Sequence, residues 1–113
     1  MTSHRGEVYW VDLEPTRGSE QSGKRPAVIV SGSSINEVTR TRIVCPLTTK
    51  VYDKRLGRVH IPKTKGNGFK QDSDALVSQI RTVDVERLGK KLGQVTDAQI
   101  GAIVQTLNIL LTY

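Results

Sequence analysis

The residues Gly18-Ser19-Glu20-Gln21-Ser22-Gly23-Lys24-Arg25-Pro26-Ala27-Val28-Ile29-Val30-Ser31 decide how the rest of the chain is read. A polar loop bracketed by glycines ends in two cations, and a proline then opens a wholly apolar run. Such a run, rich in Val and Ile and bounded by turn formers, predicts a strand over Ala27–Val30 buried on both faces. Pro26 suits the first residue of that strand, where no ladder donor is needed. Arg25 therefore falls where the loop meets a rigid element. An arginine fixed there holds its planar five-donor fork ready for a phosphate without first losing much freedom.

On the N-terminal side, Glu7–Leu13 is β-branched and aromatic and predicts the first strand, with Trp10 assigned to the core. Pro15 and Gly18 stop it, and the loop from Glu14 to Gly23 is long for a hairpin, a length that often carries function. On the C-terminal side, Gly32–Asn36 returns the chain and Arg42–Leu47 is a third strand closing in Thr48 and Thr49. Asp53–Gly57 reads as a charged turn, Val59–Ile61 as a half-exposed strand and Lys63–Gly68 as a basic loop. Ala75–Val77 is a buried strand that Gln79–Asp84 leaves, Val83–Leu88 makes a short helical turn, and Lys91–Val95 is the last strand. Thr96 with Gln99 forms a capping box, so a helix starts at Asp97. Ile100, Ile103, Val104, Leu107, Leu110 and Leu111 make its apolar stripe, either core or a dimer seam. Six or so short strands and one closing helix predict a mainly β fold, a small barrel.

The 113 residues suit one domain, 1–113, with a core that needs no staples. Seventeen Lys and Arg against eleven Asp and Glu give a net charge of +6, the footprint of a polyanion binder. One Trp, three Tyr and one Phe are too few for a platform that stacks many bases. Cys45 is the only cysteine, which excludes an intrachain disulfide; within Ile43-Val44-Cys45 it reads as a small buried hydrophobe. The N-terminus has no apolar leader and no stretch reaches membrane-spanning length, so the expected setting is the cytoplasm with no membrane partner.

His4 and His60 are the only histidines, too few for a zinc site, and His60 on a strand face reads as a surface residue. Two-metal chemistry needs clustered carboxylates, and Asp72 and Asp74, close in sequence, read instead as caps of the turn into the Ala75 strand. No metal or other cofactor is expected, and neither a triad spacing nor a phosphate loop is present. Cations and hydroxyls at strand ends remain: Arg25, Thr48, Thr49, Ser78, Gln79 and Arg81. Metal-free RNA cleavage is one possibility open to that set, because RNA carries its own 2′-OH nucleophile and needs alignment and charge neutralisation.

The blocks Arg5–Ala27, Pro46-Leu47-Thr48-Thr49, Asp72-Ser73 and Gln79–Asp84 followed by Arg87-Leu88, together with Asn36, resemble the MazF/PemK family of toxin endoribonucleases along nearly the whole chain. The resemblance implies an SH3-like barrel with a C-terminal helix, acting as a homodimer. It implies sequence-selective, metal-independent cleavage of single-stranded RNA, chiefly mRNA, leaving a 2′,3′-cyclic phosphate and a 5′-hydroxyl. It also implies a cognate antitoxin whose acidic C-terminal tail covers the RNA groove. By the same resemblance Arg25 and Thr48 are catalytic. The resemblance also puts Gln79 on the RNA path and Glu20 and Gln21 in the loop that borders it, and the expected RNA-contacting set adds Arg17, Ser19, Lys24, Thr49, Ser78 and Arg81. Some relatives carry an aspartate as candidate base before the glutamine, where this chain has Ser78, and Arg25 is expected to share in proton transfer. Lys54, Arg55, Arg58, Lys63 and Lys65 could extend a basic face. Two other functions fit the same barrel: a gyrase-binding poison and a non-catalytic RNA-binding module.

Overall fold

The computed structural model of the chain describes residues 3–21, 23–51 and 56–113. The charged turn expected at Asp53, Lys54 and Arg55, the place of those cations in a basic face, and Ser22 of the opening loop lie outside the described residues. Among the described residues, seven strands form one antiparallel sheet. They are β1 (Glu7–Asp12), β2 (Lys24–Ile29), β3 (Thr41–Thr48), β4 (Arg58–Ile61), β5 (Ser73–Leu76), β6 (Arg81–Asp84) and β7 (Leu88–Gln94). A short helix α1 (Ser33–Asn36) links β2 to β3, and α2 (Asp97–Thr112) follows β7.

The strand order is β4-β5-β3-β2-β1-β7, with β6 also on β3. β3 is the hub because it is long enough to change partners. Its first half, Thr41–Val44, pairs with β6, and Leu47 and Thr48 pair with β5. Pro46, buried inside a central strand, would ordinarily argue against a strand there. It falls at the change of partners, between the β6 and β5 ladders, and faces Ala27 of β2. The segment from Arg81 to Asp84, expected only to lead away from the preceding strand, forms β6. Its signal is weak because its burial alternates around charged residues.

The hydrogen-bonded ladder leaves β4 and β7 as edges, so the sheet is barrel-like without closing by strand pairing. The turn between β4 and β5 bridges that seam. The Gln94 N–H donates to the Gly66 carbonyl at 2.9 Å, and Gly68 packs so tightly on β7 that an added Cβ would lie 2.1 Å from the Leu92 oxygen. Asn67, buried at the turn's centre, accepts from the Thr64 and Phe69 amides and donates to the Pro62 carbonyl, which fixes the loop from within.

One face of the sheet carries Val8, Val28, Cys45, Leu47, Ile61 and Ala75, and Ile100 and Ile103 of α2 cover it. Thr96 and Gln99 form the expected capping box, worth about 1 kcal/mol. Ile100, Ile103, Leu107 and Leu110 turn inward, but Val104 and Leu111 of the same predicted stripe are exposed, Leu111 at 79%. The other face carries a second cluster around Val11, Ala27, Ile29 and Val44. Trp10, expected in the core, is 40% exposed. It stands opposite Pro26, where the helix no longer covers the sheet, and borders a cleft of about 390 Å³ with Phe69 and Lys70.

Candidate functional site

Arg25 lies inside β2, since the strand begins at Lys24 rather than at the expected Ala27. Its cross-strand partner on β1 is Val11. On the other side the β2–β3 ladder ends at the pair Ala27–Pro46. Two residues further along each strand come Arg25 and Thr48, so the register puts both on the face that carries Ala27 and Pro46. Opposed residues of an antiparallel pair project to the same side. Arg25 is half-buried and Thr48 is buried. The Lys50 N–H donates to Thr48 Oγ1 at 3.2 Å. That bond occupies a lone pair of the hydroxyl and leaves its proton available to an acceptor in the groove.

Pro46, on the same face as Thr48, also borders a cleft of about 270 Å³ with Glu20, Gln21, Ser78, Gln79 and Arg81. Five residues expected on the RNA path are thereby gathered beside the Arg25–Thr48 end. Gln79 ties the loop to this cleft: its Oε1 accepts from the Gln21 N–H at 3.4 Å and its Nε2 reaches the Ser19 carbonyl at 3.5 Å. The Gln21 Oε1 is buried there without a donor among the described residues, at a cost of about 1–3 kcal/mol. Arg81 donates to the Leu13 carbonyl at 2.9 Å, and Arg87 donates to the Asp12 and Glu14 carbonyls. These two guanidiniums clamp the end of β1, where the loop begins. Within the loop, Glu20 accepts from the Arg17 amide, and Arg17 and Ser19 are exposed at its rim.

Lys24 and Thr49 do not join this cleft. Thr49 borders the Trp10 cleft, and Lys24 a separate one of about 220 Å³ with Trp10, Asp12 and Arg87.

Sequence reasoning missed the cluster beyond Thr48. Asp72 accepts from the Lys63 N–H at 2.9 Å and does cap a turn. Asp74 does not: it is a fully buried strand residue of β5, opposite Thr48. Its Oδ2 accepts from Arg58 Nη1 at 3.1 Å and its Oδ1 lies 3.0 Å from His60 Nδ1. His60, read as a surface residue, is two-thirds covered, with its side chain 33% exposed. Arg58 Nη1 also donates to the Lys50 carbonyl at 2.7 Å. The one available signal was a carboxylate embedded in the apolar-flanked run Ser73-Asp74-Ala75-Leu76-Val77, since buried Asp almost always has a partner.

Away from the groove, burial pushes the Cys45 thiol up to about 12, so it is an inert core residue as expected. Burial and the hydrogen bond to Glu7 push the Tyr9 hydroxyl up to about 12. Burial works to raise the Glu7 carboxyl, but hydrogen bonds from Lys91, the His4 amide and Tyr9 outweigh it and leave the group below its ordinary value. Among the described residues, no group of three or more His, Cys, Asp or Glu side chains is placed to hold a metal ion. No helix among them is long and apolar enough to cross a membrane.

Residues 4–111 match the family model described as PemK-like, MazF-like toxin of type II toxin–antitoxin system. The chain is 35% identical to Endoribonuclease EndoA of Bacillus subtilis over 111 residues, covering 98% of this chain and 96% of that protein. It is 37% identical to Endoribonuclease MazF of Staphylococcus saprophyticus over 110 residues, covering 95% and 89%. Among solved structures, MazF from Deinococcus radiodurans superposes with a TM-score of 0.84 at 24% identity, over 100% of this chain and 99% of that one. An endoribonuclease in complex with its cognate antitoxin from a mycobacterial species superposes with a TM-score of 0.77 at 27% identity, over 96% and 94%.

Proposed function

The chain belongs to the PemK-like, MazF-like toxins of type II toxin–antitoxin systems, and from that premise we propose that the groove running from Arg25 and Thr48 to Gln79 is the active site of a sequence-selective, metal-independent endoribonuclease acting on single-stranded RNA, chiefly mRNA. The observation that supports this reading is the register, by which Arg25 and Thr48 share one face of neighbouring strands, two residues from the Ala27–Pro46 pair whose proline borders a polar cleft.

The reaction is transesterification. The 2′-oxygen attacks the adjacent phosphorus, an O2′–P bond forms, the P–O5′ bond breaks, and the products are a 2′,3′-cyclic phosphate and a 5′-hydroxyl. Negative charge grows on the phosphorane oxygens and then on the 5′-oxygen. Arg25 meets that charge with paired N–H donors, and Thr48 adds an O–H donor whose direction the Lys50 amide sets. The Gln79 cleft holds flanking nucleotides, and a base N–H there satisfies the Gln21 Oε1. Glu20, Ser78 and Arg81 border the same path, with Arg17, Ser19, Lys24 and Thr49 at its margins.

A net charge of +6 favours both RNA and an acidic antitoxin tail over the same groove. The exposed Val104 and Leu111, seven residues apart on α2, give a homodimer an apolar face to bury. The cellular setting is the cytoplasm, where mRNA and the antitoxin meet the toxin. The test is incubation of the purified protein with a long single-stranded RNA in EDTA, beside Arg25→Ala. Discrete cuts ending in cyclic phosphate, lost in the variant, are the expected result. RNA retained without cuts identifies a binding module, and neither cutting nor retention a poison of another target.

A further inference from the structure

The row that holds Arg25 and Thr48 continues across two more strands. Thr48 is paired with Asp74, and Asp74 with His60, so all three project to one face of the sheet. Asp74 is fully buried beneath Arg58 and His60, which hold its two oxygens. A carboxylate only accepts, so in the neutral tautomer of the ring the proton resides on Nδ1 and the lone pair on Nε2. Nε2 has no hydrogen-bond partner among the described residues. Paired Cα atoms lie about 4.5–5.5 Å apart, so Thr48 and His60 stand about 10 Å apart at the backbone on either side of Asp74. A phosphodiester held by Thr48 and an imidazole leaning over Asp74 span that gap.

Cleavage needs a group to take the 2′-hydroxyl proton, and a guanidinium that only donates is unsuited to it. With an arginine at one end of the row and an oriented imidazole at the other, we propose that His60 is the proton acceptor of the cleavage step and Asp74 its positioning residue. His60 Nε2 takes the 2′-OH proton as O2′ bonds to phosphorus. P–O5′ breaks on the Arg25 side, and water delivers a proton to the departing 5′-oxygen. His60 then returns its proton to solvent, so the cycle balances with water as the only co-reactant. The inference rests on the active-site reading above and offers His60 in place of Arg25 as the group that takes the proton.

Among the described residues, the charged groups nearest His60 are these. Arg58 shares its strand, Asp74 faces it from β5, and Lys50 follows Thr48 on the way out of β3. α2 packs on the opposite face of β4, against Val59 and Ile61, and has ionisable side chains only at its ends, Asp97 and Tyr113. The turn Val77–Gln79 has none.

The test measures kcat and KM across pH for the full chain, His60→Gln, His60→Ala, Asp74→Asn and Arg25→Ala, with circular dichroism to establish folding. The wild type is expected to lose kcat/KM on the acid side through one ionisation. His60→Gln is expected to lose about 100-fold or more in kcat, with KM little changed and the acid limb gone. Added imidazole is expected to restore part of the rate to His60→Ala, and Asp74→Asn to reduce kcat less than His60→Gln does. A folded His60→Gln that cleaves at the wild-type rate, or that slows with the acid limb intact, overturns the assignment. Arg25→Ala at the wild-type rate overturns the active-site reading itself, so the two failures are told apart.

Discussion

Among single residues, Thr48 owes its role to where one proton points. A buried hydroxyl that already accepts from the Lys50 amide has its donor free, and a phosphate oxygen is the acceptor that the groove invites. Thr48→Val keeps the shape and removes that donor, so it is expected to lower kcat by about 10²-fold. Thr48→Ser restores the donor and most of the rate. Single-turnover cleavage of a labelled RNA reads both, and a Val variant at the wild-type rate would remove Thr48 from the chemistry. Arg25 and Thr48 were legible in the chain as strand-end residues and gained their roles only through the family resemblance. Asp74 and His60 were not legible as a pair. Fourteen positions separate them, and only the β4–β5 register, set by a turn whose geometry no local pattern specifies, brings them together. Trp10 fails for the converse reason. β-propensity places an aromatic on a strand but does not say whether a helix will cover that stretch of it.

At the element scale, β1 and β7 are joined by a network around Glu7. Its carboxylate accepts from Lys91 Nζ at 2.7 Å, from Tyr9 at 3.0 Å and from the His4 amide at 2.7 Å. Because these bonds hold the folded-state carboxyl below its unfolded value, they contribute stability that is complete above the ordinary carboxylate range. That contribution fades as pH falls through the lowered folded value. Tyr9 has the opposite sign: its hydroxyl, raised to about 12, adds stability that is complete below the unfolded value and is lost as pH rises through about 12. Lys91 is half exposed, so the ion pair is screened and Lys91→Met is expected to cost only about 1 kcal/mol at neutral pH. Denaturant melts at neutral and acid pH check it: the gap between wild type and variant should narrow as the carboxyl protonates, and a gap independent of pH would assign the loss to packing. The strands and α2 were readable from propensity, alternation and the capping box. β6 was not, because Arg81–Asp84 has little apolar character and exists as a strand only through the free edge of β3 that receives it.

At the scale of the whole molecule, the basic balance does not say which cations meet the RNA. Lys63 and Lys65 belong to the turn that bridges β4 and β7, locked by Gly66 and Gly68 against Leu92 to Gln94, and they border a shallow cleft with Phe69 that shares no residue with the Gln79 cleft. Lys50 directly follows the Thr48–Thr49 exit of β3, with its carbonyl held by Arg58, and its exposed side chain sits beside the row. Phosphate contacts on a single strand release counterions with a slope of about −0.7 per contact in log affinity against log salt. Lys50→Gln, measured on a non-cleavable 2′-deoxy substrate, is therefore expected to shallow that slope by about 0.7, and the double change Lys63→Gln with Lys65→Gln to leave it where it was. If the double variant flattens the profile and Lys50→Gln does not, the RNA crosses the bridging turn rather than the Thr48 end. The groove described here would then hold only a part of its path.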